Sequence, residues 1–146
     1  SVSRDGKAYV MNTGSPHYVR FDNLQEIDID QEGKTIRYNS TYNSEGINVN
    51  IAEIKKNLVS MQTYERGVEA ETFSCGTGTV AVAISSLLDT NQPNGQYEVK
   101  ISTKGGQLSV RCKKHEDAFV DIYLIGPSVR VFEGILYFSK DSIALL

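Results

Sequence analysis

The stretch Thr72–Leu88, TFSCGTGTVAVAISSLL, constrains the fold more than any other part of the chain. From residue 76 it reads as a helix to about residue 89, closed by Asp89-Thr90-Asn91 and the Pro93-Asn94-Gly95 turn. Val80, Ala81, Val82, Ala83, Ile84, Leu87 and Leu88 leave it hardly any polar face. A helix that is apolar all round must be covered on all sides, and its small residues let neighbouring segments come close. The remainder of a 146-residue chain, the length of one domain, therefore has to wrap it.

The wrapping reads as strands. Residues 7–13 and 17–21 flank the turn Gly14-Ser15-Pro16, and 58–64 is a further strand. Within 46–54, Ile47, Val49 and Ile51 alternate with Asn48, Asn50 and Ala52, the pattern of a half-buried strand. After the helix come 97–102, a Gly105-Gly106 turn, 107–112, 118–125 and 129–138, spaced like an antiparallel meander. Residues 23–43 are ambiguous: LQEIDID alternates like a strand, while DQEGKTIRYN suits a turn and a short helical piece. With no internal repeat, the expectation is an α+β domain over residues 1–146, mostly antiparallel strands curled around a buried central helix.

Composition removes several function classes. Hydrophobic residues at 40% and charged residues at 23% are ordinary for a globular protein. A net charge of −3 and a pI near 5.4 argue against general affinity for nucleic acid or an anionic membrane. The start, SVSRDGKAYV, lacks the apolar core of a signal peptide, and no apolar run approaches membrane-spanning length. Cys75 and Cys112 do not amount to a disulfide framework, so a reduced, cytoplasmic setting is expected, in which the acceptor pattern Asn39-Ser40-Thr41 carries no sugar. No metal is expected. His17 and His115 lie far apart without close Cys/His spacing, which argues against zinc. Asp28, Asp30, Glu32 and Gly33 imitate a calcium loop, but Asn39 stands where a bidentate Glu is needed.

Cys75 is the candidate for chemistry. A helix N-terminus presents unpaired amides and a partial positive charge, both of which favour thiolate over thiol. Gly76 and Gly78 remove Cβ atoms and so clear an approach to the amides of residues 76–78, a cradle suited to a carboxylate or a phosphate. No Gly-Lys-Ser/Thr follows, so this is not a nucleotide-binding loop of the Walker type. The alternative is a buried structural cysteine beside a tight turn. Glu65 and Arg66, just upstream, suit an amino-acid ligand, the guanidinium for a carboxylate and the carboxylate for an ammonium. The alternative there is two solvated surface charges, and for His17 a structural role in a turn.

In order and spacing, NTGSPHYV, GINVNI, YERGVEAETFSCGTG with its small-residue helix, and GPSVRVFEG resemble the diaminopimelate epimerase family, over about residues 12–134. The ERG…ET…CGTG block is the most specific part. The match corresponds to the C-terminal half of such an enzyme. The resemblance implies a cytoplasmic enzyme of lysine biosynthesis, generally a homodimer, that converts LL-diaminopimelate to the meso form without pyridoxal phosphate, metal or other cofactor. It further implies two cysteines, one from each of two similar domains, acting as thiolate base and thiol acid on opposite faces of the α-carbon. Cys75 matches the cysteine of the second domain. Glu65 and Arg66 match substrate-contacting positions, Asn48 the position at the substrate's distal end, and Gly76 and Thr77 the surroundings of the α-carboxylate. His17 and Glu65 match positions that tune the cysteines. Ser15 stands where many members have a longer asparagine, which weakens a direct substrate contact there.

The first-domain cysteine and its glycine-rich turn have no counterpart here, since Cys112 precedes no helix mouth. The expectation is therefore half an active site, with the N-terminal domain missing and the isolated chain inactive. Two other readings stay open from the residues: a different cofactor-independent racemase of the same fold, and a non-catalytic domain kept for binding or assembly.

Overall fold

Two apolar clusters, one on each face of a single sheet, organise the computed structural model of the chain, which describes residues 1–116, 118–135 and 137. The sheet comprises β1 (Val2–Asp5), β2 (Ala8–Asn12), β3 (Pro16–Phe21), β4 (Asn48–Lys55), β5 (Leu58–Glu65), β6 (Ala70–Glu71), β7 (Gly95–Thr103), β8 (Gly106–His115) and β9 (Ala118–Ile125). Its order is β1-β2-β3-β4-β5-β7-β8-β9, with the short β6 paired to β5. Most neighbours are antiparallel, but β3 with β4 and β5 with β7 run parallel. A parallel pair needs a crossover, and each helix supplies one. Helix α1 (Ile29–Arg37) joins β3 to β4, and α2 (Gly76–Asp89) lies between β5 and β7 in the chain.

The helices take opposite faces because successive strand residues do. Tyr9, Val19, Ala52 and Met61 pack on Ala81, Val82, Ala83 and Ile84 of α2. Their strand neighbours Ala8, Tyr18 and Ile51 pack instead with Ile29 and Ile36 of α1. Residues 78, 79 and 81–87 of α2 are buried, and the helix touches β2, β3, β4, β5, β7, β8 and β9. The α+β architecture wrapped around a buried helix is thus the one the apolar stretch demands.

Three expectations need correction. The pattern in 46–54 marks a strand, but not a half-buried one. Asn48, Val49, Asn50, Ile51 and Ala52 are all buried, because α1 covers one face of β4 and the start of α2 covers the other. LQEIDID is not a strand. It forms a single 3₁₀ turn, Leu24–Glu26, and then the N-cap of α1, where the Asp28 carboxylate accepts from the amides of Asp30 and Gln31 at 3.1 and 3.2 Å. The acidic run that imitates a calcium loop is this cap, and Asp30 accepts from the amide of Glu71 at 2.7 Å. Finally, residues 129–135 form no strand, while 136 and 138 lie outside the described residues. Apolar alternation needs a hydrogen-bonding partner; here Val129, Val131, Phe132 and Ile135 are more than 80% exposed. Strands β1 and β6 carry too little pattern to be legible in sequence.

Gly33 tests the packing of α1 against β5. Alanine normally stabilises a helix interior over glycine by about 1 kcal/mol. A Cβ at Gly33, however, would stand 2.3 Å from Cβ of Tyr64. We predict that Gly33→Ala destabilises the fold by about 1–3 kcal/mol in urea unfolding; a gain in stability would overturn this packing.

Candidate active site

The N-terminus of α2 is placed by a close approach to β3 and β4. Thr79 N–H is the first to bond back, to the Cys75 carbonyl at 2.8 Å, which leaves the amides of Gly76, Thr77 and Gly78 with no acceptor inside the helix. Cys75 is the N-cap, yet its thiol caps nothing. Cys75 is 8% exposed, and its sulfur lies 3.6 Å from the hydroxyl of Thr77.

Gly78 faces the protein interior rather than a ligand. A Cβ there would meet Asn50 Oδ1 at 2.6 Å and His17 Cε1 at 3.3 Å. The expectation that Gly78 clears space for a ligand is therefore corrected: it lets the helix settle on buried polar side chains. At Gly76 an added Cβ would stand 3.1 Å from a methyl of Leu124 on β9.

The side chains below Cys75 form a ring of hydroxyls and one imidazole. Thr77 Oγ1 lies 2.9 Å from His17 Nε2 and 3.1 Å from Ser15 Oγ, and Ser15 Oγ is 3.0 Å from the same Nε2. Asn48 donates to Ser15 Oγ at 3.1 Å and to the Pro16 carbonyl at 3.0 Å, and its Oδ1 accepts from the Arg66 amide at 2.9 Å. Asn48 thereby ties the turn before β3 to the turn after β5. Thr13 anchors the ring from its other side, donating to the Thr77 carbonyl at 2.7 Å.

Register explains why these residues meet. His17 pairs with Asn48 and Val19 with Asn50 across β3 and β4, while Asn50 pairs with Thr63 across β4 and β5. Asn48 and Asn50, two apart, share the face toward α2. Of the residues singled out in the sequence, Ser15, His17, Asn48, Gly76 and Thr77 gather around Cys75. Arg66 joins through its backbone; its guanidinium is exposed and donates to the Glu45 carbonyl at 2.9 Å. Glu65 makes its bond to the Thr72 hydroxyl at 2.9 Å, three residues before Cys75. Cys112 lies apart, buried on β8, and burial pushes its thiol up. Asn50, Thr63 and Thr13 are the members that sequence reading does not single out. The available signal is Asn50 at i+2 from Asn48 in a strand.

His17 is fully buried, and burial, reinforced by the Arg66 charge, pushes it from 6.5 down to about 4. It is therefore neutral at neutral pH. A groove of about 820 Å³ borders the ring, lined in part by Met11, Asn12, Thr13, Gly76, Thr77 and Leu124, and Cys75 is not part of its wall.

A family model described as diaminopimelate epimerase matches residues 9–131. A diaminopimelate epimerase from Flavobacterium psychrophilum is 43% identical over 125 residues, covering 84% of this chain and 48% of that protein. One from Archaeoglobus fulgidus is 41% identical over 139 residues, covering 92% of this chain and 46% of that protein. The chain thus spans about half the length of the curated relatives it matches. Among solved structures, a hydroxyproline epimerase from Agrobacterium vitis superposes with a TM-score of 0.57 at 12% identity, over 79% of this chain and 39% of that one, a likeness of fold. The chain belongs to the diaminopimelate epimerase family.

The His17 shift sets a pH dependence. Unfolded His17 titrates near 6.5 and folded His17 near 4, so between these values the unfolded chain binds more protons. The contribution is complete above pH 6.5 and is lost as pH falls toward 4, by about 3 kcal/mol in all. Urea unfolding at several values between pH 7 and pH 4 should show this slope in the parent chain and lose it in His17→Gln. Equal slopes would refute the assignment.

Proposed function

We propose that this member of the diaminopimelate epimerase family is the C-terminal half of a two-domain epimerase in which Cys75 exchanges the α-proton of diaminopimelate between its LL and meso forms. The observation that carries this reading is the uncapped Cys75 thiol at the mouth of α2, beside three amides with no acceptor inside the helix and the Thr77 hydroxyl at 3.6 Å.

The chemistry follows from what an amino-acid α-proton requires. It is weakly acidic, so removing it needs a base and, above all, stabilisation of the charge that flows onto the carboxylate. The Cys75 thiolate takes the proton as the Cα–H electron pair moves toward the carboxylate. The amides of Gly76 and Thr77, at the positive end of the helix dipole, receive that charge. Deprotonation and reprotonation by one group return the proton to the side it left. Inversion therefore needs a second acid on the opposite face, contributed by a domain outside this chain. Cys112 does not serve, since it is 1% exposed and its thiol is raised by burial. In the same reading no cofactor or metal takes part, and Arg66, Glu65, Asn48 and Ser15 frame the substrate. Glu65 and His17 tune the thiol. The assembled enzyme is a cytoplasmic homodimer of lysine biosynthesis.

Two measurements test this. The purified 146-residue chain should give no LL-to-meso conversion in a chiral amino-acid assay, whereas turnover by the chain alone would show that the half-site reading is wrong. In the two-domain form, Cys75→Ala should lower kcat by about 10²–10⁴-fold, the range of a lost acid/base group. Activity close to the parent's would sink the role of Cys75.

A further inference from the structure

We propose that Asn50 is a positioning residue: held by Thr63 and the Tyr18 carbonyl, it fixes His17 with its proton on Nε2 and so turns the Thr77 hydroxyl to donate toward the Cys75 sulfur. The inference deepens the reading of Cys75 as a thiolate base, which it takes as its premise.

The orientation of Asn50 is determined by its neighbours. Its Nδ2 lies 3.0 Å from the Tyr18 carbonyl, which only accepts, and 3.1 Å from His17 Nδ1. Its Oδ1 receives the Thr63 hydroxyl at 3.0 Å. A flipped amide would set Oδ1 against the Tyr18 carbonyl oxygen, two acceptors at hydrogen-bond distance, so the flip is excluded. With Nδ2–H pointing at it, Nδ1 of His17 must accept. A neutral imidazole then carries its hydrogen on Nε2.

That hydrogen has the hydroxyls of Thr77 and Ser15 in front of it, at 2.9 and 3.0 Å. Ser15 Oγ, which accepts from Asn48, turns its own hydrogen to Thr77 Oγ1 at 3.1 Å. Thr77 Oγ1 thus accepts from both His17 and Ser15 and directs its own hydrogen to the sulfur at 3.6 Å. Donation thus runs in one direction, from Thr63 to Asn50, His17, Thr77 and Cys75. Asn48 adds a second inlet by donating to Ser15. A donor aimed at sulfur favours the thiolate. Asn50 and Thr63 are 0% and 3% exposed and sit below the ring, so they act through His17.

The tautomer can be read directly. In the 146-residue chain with ¹⁵N-labelled histidine, long-range ¹H–¹⁵N correlations at pH 7 should show His17 with Nε2 protonated and Nδ1 bare. His115→Gln identifies its signals. Protonated Nδ1, or an even mixture, would overturn the proposal, and this measurement needs no variant at Asn50. Asn50→Asp, nearly isosteric and protonated toward the Tyr18 carbonyl, offers a lone pair to Nδ1 and should move the imidazole proton there. Iodoacetamide labelling of Cys75, separated from Cys112 by peptide mass spectrometry, should then slow about fivefold, the effect of one lost hydrogen bond. Thr77→Val should slow labelling similarly while leaving the His17 tautomer alone, and Asn50→Asp added to it should cause no further slowing. An equal further loss in the double variant would show that Asn50 does not act through Thr77. No readout involves substrate, so these outcomes are independent of whether the two-domain form epimerises diaminopimelate.

Discussion

The rest of the structure depends on the contact of Gly78 with the polar face of β4. At that point the helix backbone rests on the Asn50 side chain, whose Oδ1 would stand 2.6 Å from a Cβ at residue 78. The approach seats Cys75 and Thr77 directly over His17 and seals His17 and Asn50 from water. It also explains a polar layer inside an otherwise apolar sandwich. A buried polar group left without a partner costs about 1–3 kcal/mol. Asn48, Asn50, His17 and Thr63 avoid that cost by bonding to one another and to backbone carbonyls.

This layer has an electrostatic character that an all-apolar core would lack. His17 is kept neutral by burial and by the nearby Arg66 cation, so it enters the ring as a dipole rather than a charge. Neutrality matters for direction. A protonated imidazole would donate from both nitrogens and face the Asn50 amide donor-to-donor. The neutral ring accepts at one nitrogen and donates at the other, which links the two halves of the network into a sequence ending at sulfur.

The large features were legible in the sequence because they follow from periodicity and sterics. The span of α2 was readable from its unbroken apolar run, and β2, β3, β5, β7, β8 and β9 from alternation and turn residues. What failed did so where local pattern and tertiary partner disagree. Asn48 and Asn50 looked like the solvent side of a half-buried strand, since a residue's polarity does not reveal that a helix end will cover it. LQEIDID alternates, yet Asp28 draws it into a helix cap. The pattern in 129–135 meets no neighbouring strand among the described residues. Cys75 was findable from its position at a helix mouth, whereas the residues that orient its neighbours were not. Thr63 has no chemistry to announce and acquires a role only through cross-strand pairing with Asn50.

Inversion at a carbon atom explains why such a layer belongs to one half of a larger site in the proposed reading. In that reading the base and its stabilising amides approach Cα from one side, and the groups described around Cys75 would all lie on that side. The hydroxyls, the imidazole and the asparagines are all beneath the sulfur, supporting it from within the fold. Groups for the opposite face cannot come from the same helix mouth, because the helix and its carboxylate would stand between them. A second domain with its own helix mouth answers this geometric requirement. A fold that wraps one buried helix provides one such mouth, so two similar domains are the simplest way to enclose a carbon between two thiols.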